Sequence, residues 1–358
     1  MAERIASMAG GKDGRQDGRQ DSGAPVTGSL TPQGAQRAKL DAALRSIGLA
    51  GLGAPRPYTG GPRKASGSAQ AAAPQAAAPQ APSGEALALA RRDWIMGVQE
   101  RQRRLSVQAS ALMRCRDLPG QAFLDHFYAP GRPVVIEGAV DHWPALAKWT
   151  PEYLAKTVGS VPVEYQGGRE GAGDFELAKD RHRHTLPFDA FIAMVTQPGG
   201  QGNDAYITAY NNAANAAAFA PLMADIAPVG AYLTADPGML WFGPAGTFTP
   251  LHFDLTNNLL IQVAGRKRIR LVPPSQTCWM YNHRHVFSAV HDLDDPARIA
   301  AHPLARNVTP YDVELGPGDM LFIPIGWWHQ VRALDFSVML TCTNFLWPNL
   351  GHEAFPQG

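Results

Sequence analysis

Aromatic side chains are distributed very unevenly along this chain. The 358 residues include 14 phenylalanines, 9 tyrosines and 8 tryptophans, yet only Tyr58 precedes Trp94. Residues 10–29 and 54–86 are mostly Gly, Ala, Pro, Gln and Ser with scattered charges, and they bury too little apolar surface to offset the entropy of ordering. We therefore predict a disordered, low-complexity tail and linker over residues 1–84, with the folded core confined to the remainder.

After Ala205, the sequence consists of short apolar runs separated by turn-forming residues. The runs predicted as strands are 206–208, 239–242, 259–263, 268–272, 311–315, 320–324 and 337–345. Gly-Pro, Pro-Pro and Pro-Gly-Asp sequences punctuate them, and strands do not alternate regularly with helices. Many short strands in this arrangement are typical of a β-sandwich or a jelly-roll barrel.

The region before these strands has more helical character. Apolar spacing favours helices over 85–113, 122–127, 151–158 and 188–195, with strands at 133–136 and 161–165. We therefore predict a mainly β protein with N-terminal and flanking helices. Its expected parts are a helical lead-in over residues 85–200 and a jelly-roll core with a C-terminal tail over residues 201–358.

The charge balance argues against a nucleic-acid partner. There are 32 Lys and Arg residues against 31 Asp and Glu, which gives a formal net charge of +1. An extended basic surface for a phosphate backbone therefore has no support from the net charge, and neither does a polyacidic tail.

The cysteines and the apolar runs indicate the cellular compartment in which the protein is expected. Cys115, Cys278 and Cys342 are odd in number and widely spaced, which argues against a disulfide framework or a thiolate zinc cluster. The first residues contain no apolar run of signal-peptide length, and no run of about 18 apolar residues occurs anywhere. We expect a cytoplasmic protein that has no membrane partner.

Two histidines and an aspartate predict a metal site. His252 and Asp254 are two residues apart, so on a strand they point to the same face, and His329 lies on a distant predicted strand. Two imidazoles and one carboxylate on one face leave coordination positions open, as Fe(II) oxygenases require. The alternatives are a surface pair for His252 and Asp254 and a buried core histidine for His329.

Lys267 is a candidate partner for an anionic ligand. It comes after the apolar run 259–263 and the turn at Gly265, so a strand, a tight turn and a second strand would return its ammonium group to the metal ligands. There it would pair with a carboxylate of a co-substrate. The alternative is an ordinary surface lysine in the basic run 266–270.

Several motifs together resemble a known family, the jumonji C hydroxylases of the cupin superfamily, particularly the small jumonji C-only group that includes the asparaginyl hydroxylase of the hypoxia response. The matching segments are 240–244, 247–254, Asn258, 262–271, 317–324 and 328–334. The resemblance extends from about Ala122 to Trp347 and is strongest after Trp241. It implies a double-stranded β-helix, the jelly-roll of the cupins.

The same resemblance implies the site residues. The implied cofactor is Fe(II), with 2-oxoglutarate and O2 as co-substrates. The implied iron ligands are His252, Asp254 and His329, and the implied 2-oxoglutarate-binding residues are Lys267, Thr249, Tyr206, Asn258 and Asn344. Tyr210 is the alternative to Tyr206. Trp241, Phe253, Trp327 and Trp328 are candidates for a dry wall around the site, with ordinary barrel core as the alternative.

An insertion over residues 275–306 contains three histidines, His283, His285 and His291. In the family this loop lies near the mouth of the active site, which makes substrate contact one interpretation. Ordinary surface histidines are the other.

The resemblance, together with the candidate metal ligands, predicts a 2-oxoglutarate-dependent dioxygenase that hydroxylates a substrate. The preference for a protein side chain as the target is implied by the resemblance alone. A jumonji lysine demethylase is one alternative, although no chromatin-reading module or zinc cluster accompanies the barrel. A non-catalytic metal-binding cupin, acting as an interaction or regulatory module, is another. The expected partner is a protein or peptide, and a homodimer, which family members often form, stays open.

Overall fold

The computed structural model describes residues 83–356, except 107, 108, 110 and 237. The predicted tail and linker over residues 1–84 lies outside this part of the chain, apart from Ser83 and Gly84. Among the described residues, no helix has both the length and the apolar character needed to cross a bilayer.

β-Strands dominate the described fold. In chain order they are β1 (Arg114–Arg116), β2 (Val134–Glu137), β3 (Pro162–Gln166), β4 (Arg183–Pro187), β5 (Met239–Gly243), β6 (Phe248–Phe253), β7 (Asn258–Ala264), β8 (Lys267–Val272), β9 (Asn282–Arg284), β10 (Phe287–Ser288), β11 (Tyr311–Leu315), β12 (Met320–Ile323), β13 (Trp328–Ala333) and β14 (Ser337–Cys342). They form a first six-stranded sheet in the order β1-β2-β12-β7-β14-β5 and a second in the order β11-β8-β13-β6-β10-β9, while β3 pairs with β4 alone. The mainly β prediction is confirmed.

The α-helices in this part of the chain lie mostly before the barrel strands. They are α1 (Gly84–Arg103), α2 (Gly120–Phe123), α3 (Ala145–Lys148), α4 (Pro151–Val158), α5 (Phe188–Thr196), α6 (Asn212–Phe219) and α7 (Pro296–Ala301). The start of α4 shows how the sequence sets a boundary, because the Thr150 hydroxyl accepts a hydrogen bond from the Tyr153 N–H and Pro151 occupies the first helical turn.

The two large sheets pack face to face. One cluster of buried side chains joins Val135, Leu260 and Leu321 of the first sheet to Ile269, Leu271 and Val313 of the second. This contact between two largely antiparallel sheets is the core of a jelly-roll, in agreement with the predicted fold.

The first sheet is buried on both faces, whereas the second has a charged outer face. On β7, Leu260 faces the barrel while Leu259 and Ile261 pack in the cluster that includes the helices. Sheets covered on both faces use continuous apolar runs, which explains this strand. On β8, by contrast, Arg268 and Arg270 point outward and contact Asp312, so apolar and charged residues alternate.

The residues predicted as a helical lead-in also extend the barrel. β2 pairs with β12 in antiparallel fashion and with β1 in parallel fashion. The same residues supply α2 to α5, whose apolar sides, including Phe123, Leu154 and Phe188, join the core cluster on the outer face of the first sheet. The lead-in is therefore part of one continuous core with the barrel.

A β-bulge interrupts β6 in the middle of the second sheet. On β13, His329 lies opposite His252 and Val331 lies opposite Thr249, so three steps along β6 match two steps along β13. Pro250 lies inside this bulge, where the lack of an N–H is tolerated. The extra residue allows Thr249 and His252 to line the same cavity, although residues three apart on a regular strand point to opposite faces.

The turn at Gly265 differs from the predicted hairpin. β7 belongs to the first sheet and β8 to the second, so the chain crosses between sheets here instead of folding back within one. Gly265 has a φ of +65° and approaches Phe336 so closely that a Cβ would lie 2.0 Å from its carbonyl oxygen. The crossing, rather than a hairpin, places Lys267 at the start of β8 inside the barrel.

The predicted strand at 206–208 is reduced to two isolated bridges. Tyr206 pairs with Gln166 and Ile207 pairs with Phe242. Because consecutive residues pair with two different strands, no continuous ladder forms. The segment instead joins β3 to β5.

The long insertion between β8 and β11 covers one end of the second sheet. Its hairpin, β9 and β10, adds to the sheet next to β6, with Phe287 opposite His252. The insertion therefore lies beside the predicted metal ligands.

Candidate active site

His252, Asp254 and His329 converge at one end of the barrel. Asp254 comes directly after β6, and His329 lies opposite His252 on β13. One potential ligand atom from each side chain lies within 4.8 Å of the other two. Within the described residues, no other group of three His, Cys, Asp or Glu side chains is arranged to hold a metal ion.

Both imidazole rings are oriented by the backbone just before them. His252 Nδ1 lies 2.7 Å from the carbonyl oxygen of Pro250, and His329 Nδ1 lies 3.0 Å from that of Trp327. A carbonyl oxygen only accepts hydrogen bonds, so each Nδ1 carries the proton and each Nε2 has a free lone pair. These Nε2 atoms lie 3.7 and 3.8 Å from the two carboxylate oxygens of Asp254.

The Asp254 carboxylate is held from one side by an amide. Asn258 Nδ2 donates to Asp254 Oδ2 at 3.0 Å, while Asn258 Oδ1 is buried and has no hydrogen-bond partner among the described residues. Burial raises the pKa of Asp254, but the nearby His329 and His252 and the Asn258 hydrogen bond outweigh that effect, so the pKa is lowered overall. The carboxylate is thus ionised and oriented.

His329 is held in its neutral form. Burial lowers its pKa to about 4, and the neighbouring His252 contributes in the same direction. A neutral imidazole is the form that binds metals. Two imidazole nitrogens and one ionised carboxylate on one face suit a divalent ion with open coordination positions, and Fe(II) is a metal that uses this ligand set.

A cavity of about 380 Å³ contains this group. Its inner wall includes Thr249, Asn258 and Trp241, and its rim includes Lys179 and His285. The site therefore combines polar side chains with two large aromatic residues, Trp241 and Phe287, and a rim of mixed charge.

Lys267 is completely buried in the barrel and lies next to Tyr206. Its Nζ donates to the Tyr206 hydroxyl at 2.8 Å, and no carboxylate within the described residues pairs with it. Burial lowers the pKa of Lys267 to about 7. A buried ammonium group without a counter-ion is costly, so this position is suited to a ligand that brings negative charge.

Tyr206 and Thr249 connect this lysine with the metal cavity. Burial raises the pKa of Tyr206, whereas the charge of Arg169 and hydrogen bonds with Thr247 and Thr249 act in the opposite direction. Thr249 also lines the cavity that contains the metal ligands. The structure thus brings Lys267, Tyr206 and Thr249 together beside the triad.

Between the two predicted tyrosines, the geometry selects Tyr206. Tyr210 is exposed and bonds to Asp180 and Arg183 at the surface. The Tyr206 ring lies against β5, where a Cβ on Gly243 would come within 2.6 Å of it. The glycine in the Trp241-Phe242-Gly243 motif therefore makes room for this ring.

Asn344, which the resemblance predicts to bind the co-substrate, has its hydrogen bonds elsewhere in this structure. Its side-chain amide donates to the carbonyl oxygen of Thr234 at 2.9 Å and to the Thr234 hydroxyl at 3.0 Å, away from the cavity. Alternate residues Met339, Thr341 and Thr343 line the cavity. Asn344 directly follows Thr343, and successive side chains in an extended chain point to opposite sides. The Asn344 side chain therefore points away from the cavity.

Trp241 lies in the cavity wall, unlike the other predicted aromatic residues. Its Nε1 donates to the Thr341 hydroxyl at 3.0 Å. Phe253 and Trp328 contact each other in a separate cluster beneath the insertion. Trp327 packs in the barrel core and donates to the carbonyl oxygen of Gly131. For these three residues the ordinary core interpretation fits.

Sequence reasoning missed Arg169, which is fully buried behind Tyr206. Its guanidinium lies 4.2 Å from the centroid of Phe175 and 5.2 Å from that of Tyr206, and it donates to the carbonyl oxygen of Phe248. It also contacts Glu176 at 3.4 Å, which lies on the cavity rim. No local pattern marks this arginine, because its contacts come from distant segments.

The fold and the site together define a jelly-roll of the cupin class with a two-histidine, one-carboxylate metal-binding group. Residues 119–349 match the cupin-like domain family. The chain belongs to this family, within which its relatives include jumonji C proteins, and the predicted resemblance is confirmed. The matched range is close to the range from Ala122 to Trp347 that carries the sequence resemblance.

Curated relatives agree with this assignment. The chain is 33% identical to lysine-specific demethylase 8 of Xenopus tropicalis over 229 residues, which cover 60% of this chain and 48% of that protein. It is 34% identical to Jumonji C domain-containing protein 5 of Drosophila melanogaster over 234 residues, 61% of this chain and 56% of that protein. It is 29% identical to tRNA wybutosine-synthesizing protein 5 of Gallus gallus over 249 residues, 66% of this chain and 76% of that protein. The chain thus spans about half the length of the first two relatives.

Proposed function

We propose that this protein is an Fe(II)- and 2-oxoglutarate-dependent oxygenase. The observation that carries the proposal is the buried, unpaired ammonium group of Lys267, which lies in the same barrel as the converging His252, Asp254 and His329. A metal site alone is compatible with many cupins. A buried cation without a counter-ion adds the demand for an anionic co-substrate.

In this proposal the triad holds Fe(II), and Lys267, Tyr206 and Thr249 bind the distal carboxylate of 2-oxoglutarate. Bound iron, together with 2-oxoglutarate and O2, supplies the oxidising chemistry, in which the keto acid is converted to succinate and CO2 and one oxygen atom enters the substrate. Asn258 keeps the Asp254 carboxylate in its orientation, as partners of ligating carboxylates do.

The buried residues also prepare the site for an anionic co-substrate. An ammonium group beside a phenol in a dry barrel offers strong charge-assisted hydrogen bonds, because low polarity strengthens them. Trp241 covers one side of the cavity, where it limits the access of water. These roles require the side chains to be in place before the co-substrate binds, and the contact between Lys267 and Tyr206 supports that.

Within this class we favour hydroxylation of a protein side chain. The lining of the cavity includes Lys179, Glu176 and His285, which are polar side chains that a polypeptide can contact. The name of one relative, lysine-specific demethylase 8, supports a protein substrate. The name tRNA wybutosine-synthesizing protein 5 belongs to a relative that acts in tRNA modification, whereas the net charge of +1 here gives no support to an RNA partner.

Lysine demethylation remains the second candidate, supported by the names of several relatives. Both reactions insert an oxygen atom into a C–H bond, and they differ in the fate of the hydroxylated carbon. An N-methyl group that is hydroxylated leaves as formaldehyde, while a hydroxylated side-chain carbon keeps the oxygen. Release of formaldehyde from a turned-over substrate therefore distinguishes demethylation from stable hydroxylation.

The experiment that tests the proposal is anaerobic titration of the protein with Fe(II) and 2-oxoglutarate, monitored by visible absorption. We expect a weak charge-transfer band that requires both ligands. The band should disappear in His252→Ala and persist in His142→Ala, since His142 is exposed and lies outside the site. A wild-type protein without this band, or His252→Ala with an undiminished one, would contradict the proposal and favour a non-catalytic cupin.

A further inference from the structure

A second cavity of about 310 Å³ lies directly beside the metal cavity. It is enclosed by residues 173–177, by β10 and by α7 with His302 just beyond it. Glu176 and Phe287 line both cavities. Phe287 is also paired with His252 across the sheet, and the two ring centroids are 5.8 Å apart. A single layer of side chains thus separates the two spaces.

The second cavity is lined by four basic side chains and two acidic ones. The basic side chains are Arg284, His291, Arg298 and His302, and the acidic ones are Asp174 and Glu176. The lining thus combines two arginines and two histidines with two carboxylates around a space large enough for one side chain.

Both acidic side chains already have partners elsewhere. Asp174 forms an ion pair with Arg181. Glu176 contacts Arg169 at 3.4 Å and Lys179 at 3.5 Å. Their negative charges are therefore committed to cations outside the second cavity.

The two arginines, by contrast, have little to neutralise them. Arg284 is exposed, and its side chain has no ion pair or hydrogen bond within the described residues. Arg298 has one long contact of 4.0 Å with Asp295. The cavity thus presents guanidinium groups whose hydrogen-bonding capacity is largely unused.

The remaining lining is apolar and partly rigid. The His291 ring lies 6.0 Å from Phe175 and 5.7 Å from Phe248, and burial, together with the charge of Arg298, lowers its pKa. Pro250 and Phe287 add apolar surface. An apolar wall with guanidinium groups at the opening matches a short acidic side chain, whose methylene groups pack while its carboxylate pairs with arginine.

We propose that this second cavity is a substrate subsite that binds an aspartate or glutamate side chain of the polypeptide, close in sequence to the residue that is modified. The inference rests on the proposed function, because it assumes that the neighbouring metal cavity receives the reacting side chain. It assigns a specificity that the metal site itself does not contain.

A peptide fits this surface better than RNA does. The segment adjoining the second cavity alternates acids and bases that pair with each other, as Asp174 does with Arg181 and Asp180 with Arg183. Recognition of a nucleic-acid backbone uses an extended basic track. A single arginine-lined pocket beside a reactive centre is suited to one carboxylate.

The test is selection from a random peptide pool. Immobilised protein, loaded anaerobically with Fe(II) and 2-oxoglutarate, is incubated with the pool, and the captured peptides are sequenced by mass spectrometry. We expect Asp and Glu to be enriched at one position, about tenfold over Asn and Gln, which corresponds to a modest charge-assisted interaction. Arg298→Glu should abolish this enrichment and favour Lys at the same position.

Two matched variants complete the design. Arg284→Glu should act in the same direction as Arg298→Glu. Arg306→Glu, which changes an exposed arginine outside the cavity lining, should retain the acidic preference. A change of preference from acidic residues to Lys requires a folded variant, whereas loss of peptide binding alone could result from damage to the fold. The change of preference therefore shows that the arginines recognise the side chain.

Wild-type protein that captures peptides without acidic enrichment, or Arg298→Glu that keeps it, would overturn the subsite. Capture of a pool of RNA oligonucleotides that weakens in Arg298→Glu, in place of peptide capture, would also overturn it. The proposed function is tested separately in the same protein preparations by the visible absorption band with Fe(II) and 2-oxoglutarate. If that band is absent, the proposed function fails, whatever the peptide selection shows.

Discussion

The ammonium group of Lys267 lies 2.8 Å from the hydroxyl group of Tyr206, and both side chains are almost completely buried. The contact joins the first residue of β8 to a segment that connects β3 with β5. It gives the lysine one hydrogen bond but no counter-charge. The site is therefore electrostatically incomplete until an anion enters.

Tyr206→Phe should weaken 2-oxoglutarate binding about tenfold, because it removes a hydroxyl group that positions the ammonium group and is itself placed to bind the carboxylate. Isothermal titration under anaerobic conditions measures this. Tyr210→Phe is the matched control, since that tyrosine is exposed and bonds at the surface. Equal losses in the two variants would contradict the assignment of Tyr206.

Lys267→Met should nearly abolish 2-oxoglutarate binding and, in the absence of 2-oxoglutarate, stabilise the protein. Replacing a buried, unpaired ammonium group with an apolar chain of similar length removes a desolvation cost of about 1–4 kcal/mol. Thermal unfolding with and without 2-oxoglutarate checks both effects. A lower melting temperature for the ligand-free variant than for the ligand-free wild type would contradict this. It would show that the ammonium group makes stronger favourable interactions in the folded protein than the structure indicates.

Lys267 should make a contribution to the stability of the ligand-free wild type that rises with pH above neutrality. The pKa of Lys267 is lowered from 10.5 to about 7 by burial, so between these values the unfolded chain binds a proton that the folded protein lacks. The contribution of Lys267 to the free energy of unfolding therefore increases from about pH 7 towards pH 10.5. Denaturant titration of wild type against Lys267→Met isolates this slope, and parallel pH profiles would contradict it.

Binding of 2-oxoglutarate should reverse that shift and take up a proton. An opposite charge beside the ammonium group favours its protonated form. Titration calorimetry at about pH 8, between the folded and unfolded pKa values, in two buffers with different ionisation enthalpies measures the uptake, and Lys267→Met provides the reference. Identical heats in the two buffers would argue against a carboxylate at this position.

Asn258→Ala should weaken iron binding about tenfold to a hundredfold, because the amide that orients the Asp254 carboxylate is lost. Asn344→Ala is the comparison that matters. It should leave iron and 2-oxoglutarate affinities unchanged while lowering stability, since its amide bonds to Thr234 away from the cavity. Competition with a metallochromic indicator measures the iron affinities, and a large loss in Asn344→Ala would restore the prediction made from the sequence.

The sequence predicted the site residues best where a local rule was sufficient. The ligands on and after β6 and the apolar runs of the first sheet can be predicted from the alternation of residue types. The surroundings of Asn344 could not be predicted in this way, because the direction of side chains after β14 depends on how that strand enters the cavity. The same limitation applies to the hairpin expected at Gly265, since the assignment of β7 and β8 to different sheets is a long-range property.

Arg169 and the cavity beside the metal site lay beyond any pattern in the sequence. Arg169 contacts Phe175, Tyr206 and Phe248, which are brought together by three separate segments. The second cavity likewise requires β10 to pair with β6. Both features depend on tertiary contacts, which single-sequence periodicity does not contain.

The bulge at Pro250 ties two binding functions to one strand. In the proposed function Thr249 binds the co-substrate and His252 binds the metal. One extra residue on β6 between them, relative to β13, keeps both in the same cavity. Loss of a single residue here would turn one of them out of the cavity while leaving the strand intact. The spacing of three residues between Thr249 and His252 is therefore fixed by the site. An insertion or deletion between them would separate the residue that binds the metal from the residue that binds the co-substrate.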